Sequence, residues 1–417
     1  MSSEIMTADG ILSTLAPTMK QGGFYNENST LQGQTVSTGV PMVQSMALAV
    51  MKTIGLEEDL INIADLGCSQ GANSMRVIQA IVRAVTEHSR ESNIPTTVNT
   101  SSRPLSLMVF HEDLPSQDWQ SLFLQVEKKD GSSYLNLPGC QKKRDESQTT
   151  QQAVKNYVPN VFSAAIGRSF YERMFPDRFL HMAVSFTALH WISRCPDAYP
   201  GASWYHNRNS PDEVQKAWAA QFYADFENFL RLRASEMKEG GYMFISLPGT
   251  PSPDAELNRK NFVRDDLDAA VLSMLDDGLM TQEYARSINL PTYLPTESEL
   301  QKVFNSVADV WEPSGFSSSP EATTVYISCW DDFVKGSLTA EQLGQQYEDF
   351  WRAVSESWMT GQLQQTHGLS LEAATEILNE MYSRIKRNVT SNPRQSFALN
   401  FMGTLKRRTP SLSSTIV

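Results

Sequence analysis

The chain has little of what would make it a secreted, metal-bound or nucleic-acid-binding protein. Four cysteines occur in 417 residues, Cys68, Cys140, Cys195 and Cys329, and none has the spacing of a metal site, so no metal is expected. Scattered thiols in a chain of this length point to a reducing, cytoplasmic setting. Basic residues are short: 35 Lys and Arg stand against 47 Asp and Glu, a net charge of −12. That balance excludes the basic surface nucleic acid requires and gives no attraction to an anionic membrane. No run of about eighteen apolar residues occurs, no charged-then-apolar leader opens the chain, and no internal repeat is present. What remains, 41% hydrophobic and 20% charged, is an acidic globular enzyme or binding protein. It is long enough for one core plus a sizeable addition.

The most informative stretch runs from Asn62 to Met75. Its apolar run ends at Asp65, small residues follow at Gly67, Ser69 and Gly71, and Val77, Ile78, Ile81 and Val82 then repeat at helical spacing. Strand, tight turn and helix in that order place backbone N–H groups at the positive end of a helix, the form of a nucleotide-binding loop in a doubly wound α/β fold. No Gly-Lys-Ser/Thr follows, so it is no Walker loop, and Ser69 replaces the middle glycine of the dinucleotide fingerprint. A second strand, Leu105–Phe110, leads to Glu112 and Asp113, either of which can accept ribose hydroxyls.

Before the loop, Gly22–Gln32 reads as a surface loop or a lid entering a helix over Val43–Met51. After it, Leu180–Phe186 is strand-like and closes on His190 and Trp191, where open α/β sheets bind ligands. Ser210-Pro211-Asp212-Glu213 forms a capping box for an aromatic-rich helix ended by Gly240-Gly241, with a strand over Tyr242–Leu247. A further capping box stands at Thr296–Glu299, Val325–Trp330 is strand-like, helices fill residues 339–390, and Ser396–Leu405 is a last strand. Strands alternating with helices, with a helical excess near the end, predict an α/β core carrying a helical cap.

Several of these pieces together resemble the SABATH family of carboxyl methyltransferases. They include Tyr25–Gln32, Ile63–Ser69, Asp113–Pro115 with Asp118, Gly167–Pro176, Leu189-His190-Trp191, Asn209–Pro211, Asn289–Pro295 and Arg352–Val354, in family order over roughly residues 20–405. The resemblance implies a Rossmann-like methyltransferase core, a mixed, mostly parallel seven-stranded sheet, with a helical cap. It implies a flexible arm (1–20), a donor-binding core with its lid (21–254), a cap over the acceptor pocket (255–295 and 335–392), remaining core strands (296–334 and 393–407) and a tail (408–417). It implies S-adenosylmethionine as donor, S-adenosylhomocysteine as product, a small carboxylic acid as acceptor, and a homodimer. Tyr25, Asn28, Ser29, Asp65, Gly67, Ser69, Asn73, Asp113, Leu114, Ser169 and Phe170 would hold the donor. Gln32 and Trp191 would hold the acceptor carboxylate, with His190, Val263, Arg264 and Val354 shaping its pocket. Arg264 stands where the family often has a tryptophan, and could pair with a second acidic group. Methylation of a heterocycle nitrogen, with His190 orienting it, is the nearest alternative, followed by a catalytically silent ligand-binding relative and a nicotinamide-dependent oxidoreductase.

Overall fold

The computed structural model describes residues 18–53, 58–91, 105–137, 159–196, 211–251, 261–316, 324–326 and 329–409. Expectations for the arm before residue 18, the insertion around Arg103, Cys140, Ser210 and the tail from residue 410 lie outside the described residues.

In chain order the first half comprises α1 (Phe24–Asn28), α2 (Thr30–Thr53), β1 (Leu60–Leu66), α3 (Ala72–Glu91), β2 (Ser106–Asp113), α4 (Trp119–Val126), β3 (Asn160–Gly167) and β4 (Leu180–Phe186). The second half comprises α5 (Asp212–Glu236), β5 (Met237–Gly249), β6 (Asn261–Phe262), α6 (Asp265–Asp276), α7 (Gln282–Ser287), α8 (Glu297–Ser306), β7 (Trp311–Ser314), β8 (Thr324–Tyr326), α9 (Cys329–Val334), α10 (Ala340–His367), α11 (Leu371–Ser391) and β9 (Ser396–Arg407).

β1 is buried at every position after its first, the signature of a strand covered on both faces. Ile61 and Ile63 pack on one side with α2 and α3, and Ala64 and Leu66 on the other with the aromatics of α5. Seven strands follow the path β3-β2-β1-β4-β5-β9-β6, and β7 and β8 pair with β9 off that path. Pairings from β3 through β5 are parallel, whereas β9 runs antiparallel to β5, β7 and β8. The sheet is therefore mixed and mostly parallel. The chain moves outward from β1 to β3 and then returns to β4 on the other side, so the strand order reverses between β1 and β4. A crevice opens at such a reversal, beyond the carboxyl ends of the strands.

Trp218, Phe222, Phe226 and Phe229 recur every three or four residues along α5 and are buried against the sheet. Each contributes at most about 3 kcal/mol of hydrophobic stabilisation. A separate apolar cluster joins α6, α10 and α11 through Leu267, Val271, Tyr347, Leu378, Tyr382 and Ile385. No helix among the described residues is long and apolar enough to cross a membrane.

Three local expectations are corrected. Phe24–Asn28 and residues 30–32 are helical, and α2 runs for 24 residues through Pro41, because Leu31, Gln32, Thr35, Val36 and Gly39 face the interior. Packing there outweighs the poor helix propensity of glycine and proline. Gly240-Gly241 does not end α5; the helix stops at Glu236, and the pair lies inside β5 beside a register shift against β4. The strand over Val325–Trp330 stops at Tyr326, and α9 begins at Cys329. β3 was not apparent in the sequence, since an edge strand needs no continuous apolar run.

Candidate active site

β1 ends where Gly67 takes φ +77°, followed by Ser69 at +47° and Gly71 at +92°. A Cβ on Gly67 would lie 2.3 Å from the Cβ of Ala188, so only glycine lets the turn pass β4's exit this closely. The N–H groups of Gly67 and Cys68 both donate to the Glu112 carbonyl at 3.0 Å. Ser69 N–H donates to Asp113 Oδ2 at 2.8 Å, and Leu114 N–H to Asp113 Oδ1 at 2.8 Å. Burial pushes the Asp113 carboxyl up to about 6, against the pull of those two N–H groups. Burial raises Glu112 well above the carboxylate range, with Asp113 adding to the effect. Glu112 Oε2 accepts from Gly67 N–H at 3.2 Å, while its Oε1 has no partner among the described residues. This end of the crevice therefore presents one carboxylate, Asp113, that is ionised near pH 7, and one carboxyl, Glu112, held towards its protonated form.

Asp65 turns the other way. Its Oδ2 accepts from the Ser74 hydroxyl and lies 3.0 Å from His111 Nδ1, whose ring continues to the Tyr134 hydroxyl at 2.8 Å. The carboxylate ties the first turn of α3 to β2. Across the crevice, the Asn26 amide accepts from Ala72 N–H at 3.0 Å and donates to the Gln70 carbonyl at 2.9 Å. Gln70 Nε2 donates to the Lys20 carbonyl at 2.7 Å, and Gly22 N–H donates to Asp118 at 2.9 Å. Asn73 Nδ2 donates to the Ser29 hydroxyl at 3.1 Å, and Asn28 Nδ2 to the Phe24 carbonyl at 2.9 Å. The N-terminal helices are thus bolted onto the turn, which places Tyr25 and Gln32 on the crevice wall.

The opposite wall depends on a buried ion pair. Arg233 and Glu236 are both fully buried and meet at 2.7 Å. Arg233 donates to the carbonyls of Phe170 and Glu172 at 2.6 and 2.8 Å, and Glu236 Oε1 accepts from the N–H groups of Met174 and Phe175 at 2.7 and 3.1 Å. The segment after β3, with Ser169 and Phe170, is held by these bonds. Tyr171 then donates its hydroxyl to the Trp191 carbonyl at 2.6 Å. Trp191 bridges to Thr292, and Tyr293 N–H donates to the His190 carbonyl at 2.7 Å. Burial, and then the charge of Arg264, pushes His190 down to about 3, so the ring is neutral near pH 7.

These walls enclose a cavity of about 1120 Å³, above the usual span of about 300–1,000 Å³ for one small ligand. Tyr25, Gly67, Ser69, Asp113, Leu114, Ser169 and Phe170 line one part, and Gln32, His190, Trp191, Val263, Arg264 and Val354 also line it. Asn28, Ser29, Asp65 and Asn73 do not line it and act behind its wall. Several lining residues carry buried polar atoms with no hydrogen-bond partner among the described residues, among them Gln32 Oε1, Ser69 Oγ, Thr292 Oγ1 and Asn400 Oδ1. Asn400, Trp351, Asn26 and the Arg233–Glu236 pair escaped the sequence reading. Asn400 lies on a strand whose neighbour across the sheet no local pattern names, and Arg233 looks like one more helical charge. Among the described residues no group of His, Cys, Asp and Glu is arranged to hold a metal.

Residues 18–408 match the family model described as SAM dependent carboxyl methyltransferase. A probable jasmonic acid carboxyl methyltransferase 2 of Theobroma cacao is 27% identical over 376 residues, 86% of this chain and 88% of that protein. Jasmonate O-methyltransferase of Arabidopsis thaliana is 30% identical over 292 residues, covering 67% and 70%. Among solved structures, a loganic acid methyltransferase with SAH superposes with a TM-score of 0.67 at 21% identity, covering 94% of this chain and 99% of that one, a likeness of fold.

Proposed function

The chain belongs to the family of S-adenosylmethionine-dependent carboxyl methyltransferases, and from its carboxyl O-methyltransferase activity we propose how the cavity divides the work. The crevice fits S-adenosylmethionine by its own chemistry. The turn at Gly67 has no room for a side chain, the buried Ser69 Oγ lacks a partner among the described residues, and the Asp113 carboxylate on the cavity wall can accept from the donor's hydroxyls. Tyr25, Ser69, Asp113, Leu114, Ser169 and Phe170 would hold it, while Asn28, Ser29, Asp65 and Asn73 brace them from behind. When bound, the donor supplies an electrophilic methyl group on a sulfonium.

The chain's own residues then have three tasks. Gln32, through its amide N–H, and Trp191, through its indole N–H, hold the acceptor carboxylate and aim one oxygen. An acid is already ionised near neutral pH, so no general base is needed. His190, held neutral, shapes the pocket and neither gives nor takes a proton. The helices over residues 255–295 and 335–392 act as a cap through Val263, Arg264 and Val354 and exclude water. In a dry pocket, orientation and desolvation supply the rate. The acceptor is a small organic acid. A homodimer and a cytoplasmic location belong to this reading through the family resemblance, and light scattering reads the former.

One observation carries the assignment: Gln32 and Trp191 face the same cavity as Asp113 and Ser69. Thermal unfolding with S-adenosylhomocysteine, and separately with NAD, tests the donor. A rise in Tm with the first alone is expected, about 2.7 kcal/mol of stabilisation at a hundredfold excess over Kd. Incubation of an acid panel with methyl-labelled donor tests the acceptor. Base-labile label marks an ester; base-stable label on a heterocycle overturns the reading.

A further inference from the structure

Arg264 is a buried cation on the cavity wall. It is 7% exposed, immediately precedes α6, and its Nη1 has no hydrogen-bond partner among the described residues. The carboxylates next to it in sequence are placed elsewhere: Asp266 is bound to Arg394, and Asp265 is exposed. A guanidinium does not discharge at any pH the protein survives, so burial cannot be relieved by losing a proton. A buried cation with one nitrogen left unbonded carries a desolvation cost, and an anion arriving with the ligand removes it. The surroundings favour an anion. Asn400 and Thr292, 2% and 1% exposed, line the same cavity with unpartnered polar atoms, and an amide can turn its NH2 inward. The neighbouring His190 carries no charge to compete.

We propose that Arg264 binds a second carboxylate on the acceptor, making dicarboxylic acids the preferred substrates. This deepens the carboxyl-methyltransferase reading and rests on it. One carboxylate, held by Gln32 and Trp191, forms the new oxygen–carbon bond as the methyl–sulfur bond breaks, with the electron pair going to sulfur. The other stays ionised against Arg264. The products are a monomethyl ester and S-adenosylhomocysteine, and no oxidant or further reactant is needed.

Initial rates at saturating donor are measured for adipate against hexanoate, and for isophthalate against benzoate and monomethyl isophthalate. The last matches isophthalate in outline and lacks its second charge. Dicarboxylates are expected to lead in kcat/KM by roughly tenfold to a hundredfold, mostly through KM, the scale of one hydrogen-bonded charge. In Arg264→Met the ratio falls towards one, and Arg264→Lys keeps part of it. The ratio is internal to each preparation, so partial misfolding does not mimic the result, and the wild-type ratio decides if Arg264→Met fails to fold. Monocarboxylates turned over as well as dicarboxylates, or a preference that survives Arg264→Met, overturns the role of Arg264 and leaves carboxyl methylation intact. Failure to methylate any acid, with S-adenosylhomocysteine still bound, overturns both.

Discussion

Ser69 N–H donates to Asp113 Oδ2 at 2.8 Å, so the turn after β1 and the tip of β2 form one unit. The bond crosses from the end of β1 to the end of β2, and under the proposed function it makes donor binding depend on the charge of Asp113.

That dependence has a direction. A ligand hydroxyl donating to Asp113 favours the ionised form, and the carboxyl is pushed up to about 6 in the free protein. Affinity for S-adenosylhomocysteine therefore rises as pH climbs through 6 and levels off above it. Below 6 it falls by up to about tenfold per unit. The free protein has the opposite trend: its folded-state carboxyl holds a proton more tightly than an ordinary aspartate at 3.8, so stability from this group declines as pH rises towards 6. Calorimetric titrations from pH 5 to 8 check the binding profile. Asp113→Asn is expected to flatten it, and a pH-independent wild type removes this carboxylate from donor recognition.

Gln32→Ala and Trp191→Ala each remove one donor from the acceptor site and leave the turn untouched. Acceptor kcat/KM is expected to fall about tenfold to a hundredfold in each. The Tm rise given by S-adenosylhomocysteine is expected to persist. Loss of that rise in either variant would show that the residue serves the donor.

Arg233→Met leaves Glu236 as a lone buried carboxylate and frees the carbonyls of Phe170 and Glu172. Urea unfolding is expected to show a loss of about 3–5 kcal/mol. A loss below about 1 kcal/mol would mean that the wall after β3 holds its shape without the pair.

The stretch from Asn62 to Met75 was legible because its residue types mark strand, turn and helix locally, although its final shape also rests on Glu112, Asp113 and Ala188. A short, mostly apolar run closed by small turn residues reads as a covered strand, and those small residues permit the turn with its positive φ angles at Gly67, Ser69 and Gly71. The periodic apolar positions that follow make a helix. His190 and Trp191 were found for the same reason, since they follow a strand's end.

Which way a side chain faces is not local. Asp65 stands opposite His111 in the β1–β2 register, and that pairing turns its carboxylate inward, away from the crevice. Gln32 reaches the cavity because α2 forms through glycine and proline on the strength of its buried face. The sequence by itself therefore determined the strand order's starting unit, the turn over residues 67–71 and the family. Tertiary structure alone decided which acids line the cavity, which brace its wall, and that Arg264 is buried with no partner for its Nη1 among the described residues. Orientation and burial depend on neighbours brought from far along the chain, and no local pattern encodes them.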